Sequence, residues 1–243
     1  MQLEGRRAVV TGASRGIGEA IAVEFAREGA DVAITARTAG ALDETRAEIE
    51  GLGRACHAMA WDVTESSTAR ERLKEAREAL GGLDIVVNNA GVHHLPKEMD
   101  GRPGSEEEWD YVIDTNLKAV WFITEEAARA MIREGGAVVN IGSDYAFRGG
   151  NTIYGVSKWG VRGLTRGLAQ KWAARNVRIN GIGPGPVATE MSNWQEGDPL
   201  ERESLPLGRL TLPEEVARVA VFLASDDAAA VIGETIVLNS ANT

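Results

Sequence analysis

Two groups of residues have the types and spacing to do chemistry. The first is Tyr154-Gly155-Val156-Ser157-Lys158. On a helix, residues at i and i+4 share a face, with Cβ atoms roughly 5 to 6 Å apart, so Lys158 can bring its charge near the Tyr154 hydroxyl. A cation beside a phenol favours phenolate, which predicts a Tyr154 pKa lowered from about 10 toward the range where a tyrosine serves as a general acid and base. The second group is the glycine-rich run Thr11-Gly12-Ala13-Ser14-Arg15-Gly16-Ile17-Gly18. Glycines let backbone approach a pyrophosphate, and a helix that starts there presents its positive end to the same group. A dinucleotide is the expected ligand.

These residues need elements to hold them, and the apolar pattern supplies a consistent set. Strands are expected at Ala8–Thr11, Val32–Thr35, Ala55–Trp61, Ile85–Val87, Ala137–Ile141, Val177–Ile182 and Thr235–Leu238, with enough chain between them for crossover helices. The first helix runs from about Gly16 to Arg27, with Ile17, Ile21 and Phe25 on one face. Later helices are expected over Glu106–Arg133 and Tyr154–Arg175. Runs such as Ile85-Val86-Val87 and Ala137-Val138-Val139 are apolar on both faces, as in a parallel sheet covered by helices on each side. The fold class is therefore α/β: a Rossmann-like, doubly wound, seven-stranded parallel sheet. The glycine turn follows the first strand and opens the first helix, the context a dinucleotide fingerprint demands. Two stretches break the rhythm, His93–Ser105 and the proline-rich Gly183–Leu212. Both follow strands, and in such sheets the carboxyl ends of the strands carry the ligand.

The end of the second strand decides between cofactors. An acidic residue there would accept from a ribose 2′-hydroxyl; this chain instead has Ala36-Arg37, and with Arg15 two guanidiniums could converge on a 2′-phosphate. NADP(H) is favoured, with NAD(H) as the alternative if both arginines are merely solvated. His93-His94 lacks a third ligand at metal spacing, so no metal is expected. Trp109, Trp121, Trp159 and Trp172 fall on expected helices and suit packing or a subunit interface, whereas Trp194, within the proline-rich stretch, suits a substrate lid.

The spacing Gly12-x-x-x-Gly16-x-Gly18 resembles that of the short-chain dehydrogenase/reductase family. Asn88-Asn89-Ala90-Gly91, Tyr154-x-x-x-Lys158 and Pro184-Gly185 follow in the family's order, so the likeness spans almost the whole chain. It resembles in particular the reductases of 3-oxoacyl thioesters and the sugar or polyol dehydrogenases. The resemblance implies an oxidoreductase moving a hydride between a nicotinamide and a ketone or secondary alcohol. Tyr154 would protonate the carbonyl oxygen, Lys158 would also bind the nicotinamide ribose, Ser143 would hydrogen-bond the substrate oxygen, and Asn116 would hold the relay water of the lysine. Asp62 and Val63 would contact adenine, Asn89 the adenosine ribose region beside Ala90 and Gly91, and Val187 and Thr189 the carboxamide. His93 would face the substrate. The step from Ser143 to Tyr154 is shorter than is usual in the family, Gly142 stands where a serine is frequent, and the end Leu238–Thr243 lacks the expected glycine pair. An idle cofactor-binding redox sensor would be the rival, but it should show a broken tetrad.

Composition narrows the partners. With 36 acidic and 26 basic side chains the net charge is −10, which repels nucleic acid and anionic membranes. A single cysteine, Cys56, suits a reducing compartment, and the apolar run after Arg6-Arg7 is too short for a signal segment, so a cytoplasmic protein is expected. At 243 residues and 44% hydrophobic composition one domain is expected, its cofactor half about 1–140 and its catalytic half about 141–243. The apolar residues Val120, Trp121, Ile123, Trp159, Val161 and Leu164 exceed one buried stripe, which predicts a homotetramer or homodimer.

Overall fold

In the computed structural model, residues 1–96, 99, 102–148 and 150–239 are described. The atypical carboxyl-terminal residues 240–243 fall outside them, as do parts of the loop after residue 93. Seven strands form one sheet: β1 (Arg7–Thr11), β2 (Asp31–Ala36), β3 (Cys56–Ala60), β4 (Ile85–Asn88), β5 (Gly136–Ile141), β6 (Val177–Pro184) and β7 (Thr235–Leu238). Their order is β3-β2-β1-β4-β5-β6-β7, and every pairing is parallel. The order reverses between β1 and β4, so a crevice opens at the carboxyl ends of those two strands.

The helices are α1 (Gly16–Arg27), α2 (Asp43–Gly51), α3 (Ala69–Leu80), α4 (Glu106–Ile113), α5 (Ala119–Met131), α6 (Ile153–Trp172) and α7 (Pro213–Ala224). Because successive strand side chains point to opposite faces, the doubled apolar runs divide between two cores. Val10, Val87 and Val139 pack with Ile21 and Phe25 of α1 and Val216 of α7. Val9, Val86 and Val138 pack with Leu73 of α3, Ile123 of α5 and Leu168 of α6. Each central strand is thus anchored on both sides, which fixes the heights of the residues at its end.

Most strands run a residue or two beyond their expected bounds, and other departures are larger or opposite in sense. The third strand is shorter than Ala55–Trp61 by one residue at each end. The expected helix over Glu106–Arg133 is interrupted by a π-helical turn at Asp114–Lys118, which carries Asn116. Four of the residues expected at a subunit interface, Val120, Ile123, Val161 and Leu164, belong to the internal core, while Trp121 and Trp159 are 43% and 44% exposed. Among the described residues, no helix is long and apolar enough to cross a membrane.

Candidate active site

The glycine turn follows from steric demands. Gly12 and Gly16 hold φ of +65° and +60°, the left-handed region that side chains avoid. A Cβ on Gly18 would lie 2.2 Å from the Gly12 carbonyl oxygen and 2.3 Å from Asn89 Nδ2, so only glycine lets the first turn of α1 pack on the end of β4. Arg15, at the N-cap of α1, provides no side-chain cap. The Arg15 side chain thus takes none of the first N–H groups of the helix, the groups that would face a pyrophosphate. Ser14 and Ile17 are half-buried beside this turn, and Ala13 is fully buried beneath it.

Asn89 joins two segments of backbone. Its Nδ2 donates to the carbonyls of Thr11 (3.0 Å) and Gly12 (2.9 Å), while its backbone N–H and that of Ala90 donate to Thr11 Oγ1 at 3.0 and 3.1 Å. Asn89 thus ties the end of β4 to the glycine turn. Nearby, Asp62 Oδ1 accepts from the N–H and hydroxyl of Thr64, and Val63 is buried. Arg37 is exposed at the end of β2. Arg15, also exposed, pairs with Glu190 at 2.7 Å.

Ser143, Tyr154, Lys158 and Asn116 do come together. A cap fixes the start of α6: Thr152 Oγ1 accepts the Gly155 N–H at 3.0 Å. Tyr154 and Lys158 then lie one turn apart, with Lys158 Nζ 5.6 Å from the tyrosine ring. The ammonium is buried and donates to the Ile141 carbonyl at 3.0 Å, directly below Ser143. Asn116 is clamped in the π turn. Its Nδ2 donates to Val92 O and Ser157 Oγ at 2.8 and 3.1 Å, and its Oδ1 accepts the Val92 N–H at 2.8 Å. An added Cβ on Gly91 would meet Asn116 Oδ1 at 3.3 Å and Lys158 Nζ at 3.6 Å, so this glycine leaves the two groups room to face each other. Beneath them Asn88, Asn140, Thr124 and Thr165 join β4, β5, α5 and α6 through buried hydrogen bonds.

The electrostatics correct one expectation. Burial pushes the Tyr154 phenol up to about 12, and the hydrogen bond of Ser143 offsets this only in part, with Asp144 adding to the rise. Burial also pulls Lys158 down to about 8. Desolvation of both partners outweighs the expected help from the lysine, so the phenol holds its proton at neutral pH.

Around Tyr154 the structure adds two neighbours. His93, from the loop after β4, lies with its ring 4.6 Å from that of Tyr154. Tyr145 stands edge-on to the other side at 5.7 Å. Asp144 and Tyr145 were not singled out from sequence; their position immediately after Ser143 was the available signal. Pro184 ends β6, and Gly185 could carry no Cβ, which would lie 2.8 Å from the Asn239 carbonyl oxygen. In the segment after β6, Val187 is buried and pairs with Thr211, and Thr189 packs against Gly16, to whose Cβ it would come within 3.2 Å. Trp194 is half-buried and donates its indole N–H to Asp198 O at 3.1 Å, inside its own loop.

Comparison with known proteins agrees with this arrangement. Residues 12–240 match the family profile described as Enoyl-(Acyl carrier protein) reductase. The chain is 37% identical to a 3-oxoacyl-(acyl-carrier-protein) reductase of Thermotoga maritima, over 97% of each chain. A solved structure provisionally called a short-chain alcohol dehydrogenase, from Sinorhizobium meliloti 1021, is 45% identical with a TM-score of 0.88, covering 97% of this chain and 95% of that one. A short-chain dehydrogenase of Burkholderia cenocepacia J2315, solved in complex with NADP, is 32% identical with a TM-score of 0.88 over 98% of each chain. By its glycine turn, its gathered Asn116, Ser143, Tyr154 and Lys158, and these likenesses across nearly its full length, the chain belongs to the short-chain dehydrogenase/reductase family of oxidoreductases.

Proposed function

We propose that the protein is an NADP(H)-dependent oxidoreductase that interconverts a ketone and a secondary alcohol. The observation that carries this reading is the convergence of Ser143, Tyr154, Lys158 and Asn116 at the carboxyl ends of β4 and β5, beside a turn built for a pyrophosphate. Residues Gly12, Ser14, Arg15, Gly16, Ile17 and Gly18 hold the pyrophosphate side, Arg37 the 2′-phosphate, Asp62 and Val63 the adenine, Ala90 and Gly91 the adjoining wall, and Pro184, Gly185, Val187 and Thr189 the nicotinamide end. The cofactor supplies or accepts the hydride at the substrate carbon. Tyr154 delivers a proton to the carbonyl oxygen in reduction and takes it back in oxidation, while Ser143 donates a hydrogen bond to the same oxygen as charge develops there. Lys158, fixed by the Ile141 carbonyl, holds positive charge near the phenol and binds ribose hydroxyls, and Asn116 supports the water that returns the proton.

The pairing of Arg15 with Glu190 favours a second reading in which the 2′-phosphate is weakly held and NAD(H) also serves. The substrate is a small carbonyl compound, either a 3-oxoacyl thioester, as for the Thermotoga relative, or a sugar or polyol. The chain acts as one domain, assembled as a homotetramer or homodimer in the cytoplasm. Its lone thiol, Cys56, is pushed up to about 12 by burial and is unreactive. The test is NADPH oxidation with a panel of diketones, 3-oxoacyl thioesters and ketosugars. Turnover of at least one class is expected; tight cofactor binding with no turnover in either direction would make the protein a sensor instead.

A further inference from the structure

The residue after the proposed oxyanion partner is a buried carboxylate. Asp144 is 3% exposed, and its Oδ1 accepts the Ser143 hydroxyl at 3.2 Å. Its Oδ2 is held by Arg148, one helical turn along the chain. Arg148 lies 5.6 Å from the centre of the Tyr145 ring, and its backbone carbonyl accepts the Trp159 indole N–H at 2.5 Å, which ties this segment to α6. Ser143 Oγ also accepts the Tyr145 N–H at 3.2 Å. The Ser143 hydroxyl thus lies within reach of both Asp144 and the phenol, and Asp144 competes with a substrate oxygen for its hydrogen. A buried carboxylate at this place is costly unless it is paired, and its pairing here leaves it next to the two groups that handle the substrate oxygen.

We propose that Asp144, anchored by Arg148, is a positioning residue of the active site: it orients the Ser143 hydroxyl and sets a negative charge beside the Tyr154 phenol. This rests on the roles proposed above for Ser143 and Tyr154. The groups facing Tyr154 are Ser143, Asp144 and Tyr145 from the turn after β5, Arg148 beyond them, Lys158 of α6, and His93, backed by His94, from the loop after β4. His93 is pushed below its ordinary value by burial and by His94, so at neutral pH it adds no charge. Lys158 is turned to the Ile141 carbonyl. Asp144, bonded to Ser143, which in turn bonds the phenol, places a negative charge one residue away from it, and such a charge favours retention of the proton.

The sign can be tested without knowing the substrate. Asp144→Asn keeps the shape and the acceptor for Ser143 but removes the charge. Ultraviolet difference titration, with the Tyr154→Phe protein subtracted to isolate this phenol from Tyr111 and Tyr145, should show phenolate forming at a pH lower by about one unit than in the wild type. Arg148→Gln, which leaves the carboxylate uncompensated, should move the ionisation the other way. Once a substrate is known, the pH limb of kcat/KM assigned to Tyr154 should follow both shifts. A folded Asp144→Asn protein whose phenol titrates as in the wild type would overturn the proposal. If that variant does not fold, the Arg148→Gln shift decides: upward supports the proposal and no shift overturns it. An absence of turnover with every carbonyl, alongside the expected phenol shifts, would count against the proposed reaction and not against the role of Asp144.

Discussion

At the residue scale, burial acts on both members of the Tyr154–Lys158 pair, raising the phenol and lowering the ammonium. The spacing of Tyr154 and Lys158 and the block around Ser143 placed the right atoms within reach, because helix geometry fixes what four residues apart can touch. The direction of the tyrosine shift depends on how much water the fold removes, and burial overrode the nearby cation. Asn89 was legible as a site residue, but its amide joins two backbone segments, a role set by tertiary approach. In the proposed function, Arg37 is the residue on which cofactor choice turns. It is exposed at the end of β2, whereas Arg15 is occupied by Glu190. An arginine–phosphate bond contributes about 1.5 to 3 kcal/mol, so Arg37→Ala should weaken NADPH by roughly one to two orders of magnitude. The check is kcat/KM for NADPH over NADH with one carbonyl substrate held fixed. The ratio should fall sharply; an unchanged ratio would leave Arg37 as a solvated side chain.

At the element scale, the strands could be read to within a residue or two because each is a doubled apolar run in which successive side chains fill opposite cores. The π turn at Asp114–Lys118 left no mark on the apolar pattern, since one extra residue in a turn changes the pairing of the backbone and not the composition. It is nonetheless the element that aims Asn116. The segment after β6 is anchored at its far end by Glu215, which accepts from Arg209 at 2.7 Å and from the Leu212 N–H at 2.8 Å, capping α7. The Arg209 guanidinium and this cap hold the Glu215 carboxyl down to about 2. Its stabilisation is present above the ordinary carboxylate range and is lost as pH falls toward that value. Glu215→Gln should therefore lower the melting temperature at pH 7, with the gap to wild type closing as the solution is acidified through pH 4 to 3. Because the pair is half-exposed the shift should be small, and a gap independent of pH would show that the charge contributes nothing.

At the scale of the whole molecule, the sequence showed that α5 and α6 carry more apolar surface than one stripe needs, but not which residues face outward. Both sides of these helices are apolar, so periodicity could not separate core from surface. The structure does: Trp109, Trp121, Phe122 and Trp159 are all more than 40% exposed, while Ile123 and Val161 are buried. So many large exposed aromatics on neighbouring helices are costly for a monomer. Sedimentation at micromolar concentration should show a dimer or tetramer, and Trp121→Glu should shift it toward monomer. A wild-type protein that stays monomeric would remove the assembly from the account.

In the proposed function Tyr154 is the proton donor and acceptor of a nicotinamide-dependent reaction. Tyr154→Phe keeps the ring that packs against His93 and Tyr145 and removes only the hydroxyl. The measurement is NADPH binding by fluorescence together with turnover of the best carbonyl from the panel, under conditions where the chemical step limits the rate. Binding should survive and turnover should fall by roughly 100-fold or more. Turnover close to that of the wild type would contradict the account.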